Sequence, residues 1–217
     1  MLELGFRAIS WTWMLHFCAD PEATDEPWIA DTVVALDRQL AHIEQNLSHY
    51  FSPNTHLLGE ALALYVAGLA FPWLRRAERY AAVGRQVLVE QAGRQIAPDG
   101  GHVERSAHYH RYTLDFYLLA LAIARINGDA AAAPFEDAVS RLGAAALLLA
   151  DDRGRLPHVG DDDGGMLLPM CGRAVDDARD SLATAAGLTR RTDLRVSAPA
   201  EETVWMLAHP VLREALA

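Results

Sequence analysis

Apolar residues recur three and four positions apart along almost the whole chain, and no series of strictly alternating apolar and polar positions interrupts them. That period belongs to helices rather than half-buried strands. It predicts helices over Leu4 to Phe17, Glu26 to Leu47, His56 to Ala70, Leu74 to Ile96, Ala107 to Ile126, Phe135 to Leu149, Val175 to Ala186 and Glu201 to Leu216. The punctuation agrees: Pro27, Pro53 and Pro72 sit near starts, and Asn127-Gly128 and Gly187 sit just beyond ends, as helix-initiating proline and helix-terminating glycine do. Long helices joined by short turns make antiparallel hairpins, in a bundle, a solenoid or an α/α toroid. No repeat of fixed length is present, which counts against a regular solenoid. The expectation is an all-α chain forming one domain over residues 1–217, with a Gly-, Asp- and Pro-rich loop over residues 151–173.

Composition narrows the function classes. The 217 residues, 51% hydrophobic and 22% charged, are enough for one substantial core. A formal charge of -10 argues against a nucleic-acid binder, which needs a basic surface. All nineteen basic residues counted as Lys or Arg are arginines, so neither a Schiff-base lysine nor a P-loop lysine is available. Cys18 and Cys171 are too far apart in sequence for a CxxC pair and read as buried thiols. Met1 to Cys18 lacks the basic start and clean apolar block of a signal peptide. No apolar run approaches the roughly 20 residues of a membrane span.

Two polar clusters stand out from the helical pattern. Ser52-Pro53-Asn54-Thr55-His56 opens one helix, where Asn54 has an ordinary role as a cap and Glu60, four residues beyond His56, shares its face. The second cluster follows the turn Pro98-Asp99-Gly100-Gly101. It places His102, Arg105, His108, Tyr109, His110, Arg111 and Tyr112 in a short basic and aromatic stretch of an acidic chain, suited to attracting and stacking on an anionic sugar. Amide, imidazole and phenol are also the groups that neutralise a sugar carboxylate, remove the neighbouring proton and protonate a leaving oxygen. Surface histidines and capping residues would give the same pattern without function. His108-x-His110 does not put both rings on one helical face, and no HExxH is present, so a metal centre is not expected. The acidic run Asp161-Asp162-Asp163 lacks the alternate spacing of an EF-hand and reads as a solvated turn. Trp11, Trp13 and Trp28 read as core packing, with a sugar-stacking wall as the alternative. Arg75 to Arg79 reads as an exposed, ion-paired face.

Three segments, Ser52 to Glu60, Arg94 to Ser106, and Tyr109-His110, occur in an order that resembles the α/α-toroid domain of heparinase II/III-type polysaccharide lyases. Arg7-Ala8-Ile9-Ser10-Trp11 and Leu156-Pro157-His158-Val159-Gly160-Asp161 extend the similarity over most of the chain. The resemblance implies a partial α/α toroid and β-elimination of a uronate-containing acidic polysaccharide, such as a glycosaminoglycan or alginate. It implies catalytic positions at Asn54, His56 and Tyr109, with Glu60, Arg105, His108, His110 and Trp11 in substrate-binding positions. Asn54 and a histidine would hold the uronate carboxylate and stabilise the enolate. Tyr109 would act as acid, base or both, with positive charge from His108, His110 or Arg105 assisting its ionisation.

The family's toroid is followed by a β-sandwich domain that adds a histidine to the cleft, and nothing strand-rich follows Asp161 here. A β-sandwich domain or second chain is therefore an expected partner alongside the polysaccharide, and self-association is a further expectation. No cofactor is expected. A periplasmic or secreted location goes with the full family pattern, a cytoplasmic one with the chain as it stands. The alternative is a glycan-binding or assembly module without turnover.

Overall fold

A computed structural model describes residues 1–18, 27–194 and 201–216. The described residues form eight α-helices: α1 Leu2–Phe17, α2 Pro27–Gln45, α3 Thr55–Ala70, α4 Ala77–Gln95, α5 Ala107–Ile126, α6 Ala132–Leu149, α7 Arg179–Thr189 and α8 Glu201–Leu207. Short 3-10 segments cover Thr192–Leu194 and Pro210–Leu216. Among the described residues the only β pairing is two isolated bridges, Ile96 with His102 and Arg155 with Asp177. The chain is all-α, as the apolar period requires.

The boundaries differ from the sequence reading for identifiable reasons. Glu26, the expected start of the second helix, lies outside the described residues. Leu74 to Ala77 form tight turns, with Leu74 N–H on Phe71 O and Ala77 N–H on Leu74 O, each at 3.0 Å, so α4 starts at Ala77. The expected helix from Val175 begins only at Arg179, because Leu156 N–H donates to Asp176 O and Ala178 N–H to Gly154 O, holding this stretch against the preceding loop. Gly187 lies inside α7, and Arg190 at φ 56° takes the left-handed terminating position instead. The last expected helix ends at Leu207. Pro210 has no N–H to continue it and disfavours the helical region at His209.

The chain divides into two compact units, Met1–Leu88 and Val89–Ala217. In the first, α3 is apolar on nearly every side and buried from Leu57 to Gly68, the state expected of a helix with no polar face. Two glycines bring α3 and α4 into close packing. A Cβ on Gly68 would lie 2.5 Å from Ala81 N, and one on Gly84 would lie 2.4 Å from Ala61 O. Leu36, Leu40 and Ile43 of α2 and Ala8 and Ile9 of α1 complete this core. In the second unit α5 is buried over most of its length. Phe116, Tyr117, Phe135, Leu142, Leu182 and Leu188 join α5, α6 and α7 in one core. Asn127 and Gly128, at φ 63°, end α5 as expected.

Candidate functional site

In the first unit, Asn54 is the N-cap of α3. Its Oδ1 accepts the His56 N–H at 3.2 Å, and its carbonyl accepts Leu58 N–H at 3.1 Å. The side-chain oxygen thus serves the helix; the amide also carries N–H donors, the kind of group that binds a carboxylate. His56 is exposed on the first turn. Glu60 is fully buried, and both its oxygens are used on one partner: Oε2 accepts Ser48 N–H at 2.8 Å and Oε1 accepts Ser48 Oγ–H at 2.6 Å. It therefore ties the segment before α3 to the helix. Tyr50 and Phe51 in that segment are 100% and 91% exposed, two aromatic faces beside Asn54 and His56 in sequence that the helical pattern gave no reason to single out. Trp11 is half-buried on α1, with the Arg7 guanidinium over its ring at 5.9 Å. The expected ion-paired face of the Arg75 to Arg79 stretch includes the Arg79 to Glu44 pair.

In the second unit, Tyr109 stands on the first turn of α5. Ser106 caps this helix: its Oγ accepts Tyr109 N–H at 3.1 Å and donates its own proton to Asp161 O at 2.5 Å. Ala107 N–H donates to Val159 O at 2.9 Å. Gly160 makes the approach possible. It has φ 78°, and a Cβ there would lie 2.7 Å from Ser106 Cα. The acidic run is thus laid onto the start of α5, and it is a loop with Asp161 and Asp163 exposed, as expected, but anchored to the helix cap. Tyr109 Oη donates to Asp161 Oδ2 at 3.3 Å, and His108 Nδ1 and Nε2 each lie 3.3 Å from a carboxylate oxygen, of Asp162 and Asp163 respectively. Arg105, exposed at φ 54°, precedes the cap.

The electrostatics reverse the expected basic patch. Desolvation, then Asp163 and Asp161, push the Tyr109 phenol up to about 12. Carboxylates rather than cations surround it, so the expected assistance to ionisation is not there. His102, His108 and His110 are all buried, and burial lowers each below the usual histidine range, His102 to about 4. His102 Nε2–H donates to Gln95 Oε1 at 3.1 Å, bracing the turn that carries Gly100-Gly101. His110, expected to meet substrate, lies in the seam between α5 and α6 and donates from Nε2 to Leu142 O at 2.9 Å. Arg111 is wholly buried, with Nη1 on Asp115 at 2.6 Å and Nη2 on Gly165 O at 3.2 Å.

A second polar cluster leaves no local pattern in the sequence, because its members are spread over 88 positions, from Asp115 to Glu202. Arg173 donates from Nε and Nη2 to Glu202 at 2.8 and 2.7 Å and from Nη2 to Asp115 at 3.2 Å, while Ser181 donates to Asp115 at 2.5 Å. Burial, then Asp115, push the Glu202 carboxyl up to about 7.

Residues 1–149 match the model of the heparinase II/III N-terminus. The chain belongs to this family. Its matched span contains Asn54, His56, Glu60 and the Arg105 to His110 stretch. Among heparinase II/III relatives, the heparin-sulfate lyase of Bacteroides stercoris is 30% identical over 112 residues, 52% of this chain and 16% of that protein. The heparin-sulfate lyase of Bacteroides thetaiotaomicron is 39% identical over 79 residues, 36% of this chain and 11% of that protein. The crystal structure of heparinase III superposes with a TM-score of 0.73 at 18% identity, covering 88% of this chain and 29% of its own. A second heparinase III structure, with methylated lysines, gives 0.57 at 24% identity over 72% of this chain and 24% of its own. The fold is therefore the all-α, toroid-like fold of the part of heparinase III that it matches. The chain spans less than a third of the length of these relatives.

Proposed function

We propose that this chain is the helical part of a lyase that cleaves a uronate-containing acidic polysaccharide by β-elimination. Heparin-sulfate, the substrate in the relatives' names, sets the class to test first. The observation that carries this reading is the family match over residues 1–149, which takes in every proposed reacting group. A β-sandwich domain or a second chain completes the cleft, in keeping with the share of the relatives that this chain covers.

In the proposed reaction a base removes the proton on C5 of the uronate, the C4–O4 bond breaks as the C4–C5 double bond forms, and the departing oxygen takes up a proton. The intermediate carries its charge on the carboxylate, where Asn54 N–H groups act as preorganised donors. His56, exposed and close to Asn54 in sequence, acts as base. Tyr109, whose hydroxyl is a donor towards Asp161, supplies the proton to O4. Arg105 meets the anionic chain, Trp11 offers a stacking face, Glu60 holds the segment leading into Asn54, and His108 and His110 position the start of α5.

The test is incubation with heparan sulfate, hyaluronan and alginate, followed by the ultraviolet absorbance of unsaturated uronate. The chain, alone or with its completing β domain, raises that absorbance on one polymer, and Tyr109→Phe lowers the rate by about 10²- to 10⁴-fold, the usual worth of a general acid or base. Absence of turnover on all three with the β domain present would sink the reading. Tyr50 and Phe51, both almost fully exposed, favour one second reading, a glycan-binding module. Saturable binding without turnover, weakened by Phe51→Ala, is its signature.

A further inference from the structure

Two clusters in the second unit bring three metal-ligating side chains together, and they differ in one respect. At Cys171, Asp180 and Glu202 the acidic groups already have a cation, because the Arg173 guanidinium bonds Glu202 through two nitrogens. At His108, Asp162 and Asp163 no arginine donates to either carboxylate among the described residues. The larger cavity of about 420 Å³ elsewhere in the unit offers little by comparison, since its Arg125 is paired with Glu136 and its Arg190 with Glu214.

We infer that His108, Asp162 and Asp163 form a binding site for a divalent transition-metal cation of the Zn²⁺ or Mn²⁺ type. One ring nitrogen and one oxygen from each carboxylate lie within 4.8 Å of one another. The observation that separates this from an ordinary acidic turn is the imidazole itself. The His108 side chain is 4% exposed, and neither ring nitrogen makes a hydrogen bond, although each lies 3.3 Å from a carboxylate oxygen. A buried imidazole left without a hydrogen bond is costly. Coordination would satisfy one of its nitrogens. Ligand atoms held at about 2.0 to 2.1 Å from a tetrahedral ion lie about 3.3 Å apart, the spacing between Nε2 and the Asp163 oxygen, while Asp162 makes its 3.3 Å approach to the other ring nitrogen, Nδ1, and joins the set only within the wider 4.8 Å span.

The carboxylates are also held ready. Gly164 N–H donates to Asp162 Oδ1 at 2.8 Å and Gly165 N–H to Asp163 Oδ1 at 3.0 Å, so both carboxylates are oriented by the loop's own backbone, on the same oxygens that face the imidazole. An ion has a way in. A cavity of about 330 Å³ opens on His108 and Asp162 and is bordered by His158 and Asp176. His158 Nδ1 lies 3.6 Å from Asp162 Oδ2, close enough to become a fourth ligand. Mixed imidazole and carboxylate donors suit Zn²⁺ and Mn²⁺ better than the all-oxygen shells that Ca²⁺ and Mg²⁺ prefer.

The experiment uses the full chain, stripped with a chelator and dialysed, then titrated calorimetrically with Zn²⁺, Mn²⁺ and Ca²⁺. One equivalent of Zn²⁺ or Mn²⁺ is expected to bind saturably and to raise the melting temperature in proportion to the logarithm of its excess. Asp163→Asn, whose side chain is 59% exposed and so safe to alter, should weaken binding by about tenfold or more. His108→Gln should do the same and remove the visible absorption of a Co²⁺-substituted sample, with far-ultraviolet circular dichroism reporting its fold. Cys171→Ser should leave binding intact. The inference fails if the wild-type chain shows no saturable uptake, if Asp163→Asn binds as well as wild type, or if Cys171→Ser is the variant that abolishes binding. None of these readouts involves sugar turnover, so this inference and the lyase reading succeed or fail separately.

Discussion

Glu60 shows how one residue can be read correctly in kind and wrongly in partner. An acid four positions beyond His56 shares its helical face, and that spacing marks it as a group of consequence. Its carboxylate is nonetheless used up by the backbone and side chain of Ser48, twelve positions earlier, in a segment with no periodicity from which to infer an approach. Asn54 was more legible, because a cap is a local arrangement and its Oδ1 bonds the N–H two residues on. Replacing Glu60 by Gln keeps the shape and removes the charge from two charge-assisted bonds. Chemical denaturation should report a loss of about 1.5 to 3 kcal/mol. A loss near zero would mean that the Ser48 clasp is not formed in solution.

Among the elements, α3 and α5 follow the sequence to within a residue because their apolar runs are long and their caps, Asn54 and Ser106, are strong signals. The late starts of α4 and α7 and the early end of the last helix lie where a turn, a pairing from a distant loop or a proline overrides the period, while α6 begins at Ala132, three residues before the expected Phe135. Close approach between helices is a further property the pattern hides. Gly84 looks like a mild helix weakener in the sequence, yet it is the point at which α4 meets the backbone of α3. Gly84→Ala should therefore destabilise the first unit by about 1 to 3 kcal/mol through overpacking, even though alanine is the better helix former. A stabilised variant in thermal or urea unfolding would overturn that account of the seam.

For the whole molecule, the family and the all-α class were open to reading from ordered motifs and period alone. The acidic loop on α5 and the Arg173 cluster were not, since both depend on pairings between positions more than fifty residues apart. The cluster has a consequence for pH. Glu202 titrates near 4.5 when unfolded and is raised to about 7 in the fold by burial and by Asp115. The folded chain then binds a proton that the unfolded chain has released, so this contribution to stability is full below about pH 4.5 and is lost as the pH rises through about 7. Unfolding free energies measured from about pH 5 to 8 should fall, and Glu202→Gln should flatten the fall. An unchanged slope in the variant would remove Glu202 as its source. Arg173→Met, which strands buried carboxylates, should cost about 3 to 5 kcal/mol.

The bond from Ser106 to Asp161 joins residues 55 positions apart, and it has a kinetic meaning as well as a static one. Helix α5 carries its own cap at Ser106, but the surroundings of Tyr109 cannot exist until the chain has closed that loop, and closing a loop of that length costs chain entropy before any contact rewards it. During synthesis Tyr109 leaves the ribosome 52 residues ahead of Asp161. Its setting is therefore among the last features of the second unit to mature, and among the first to be lost when that unit loosens.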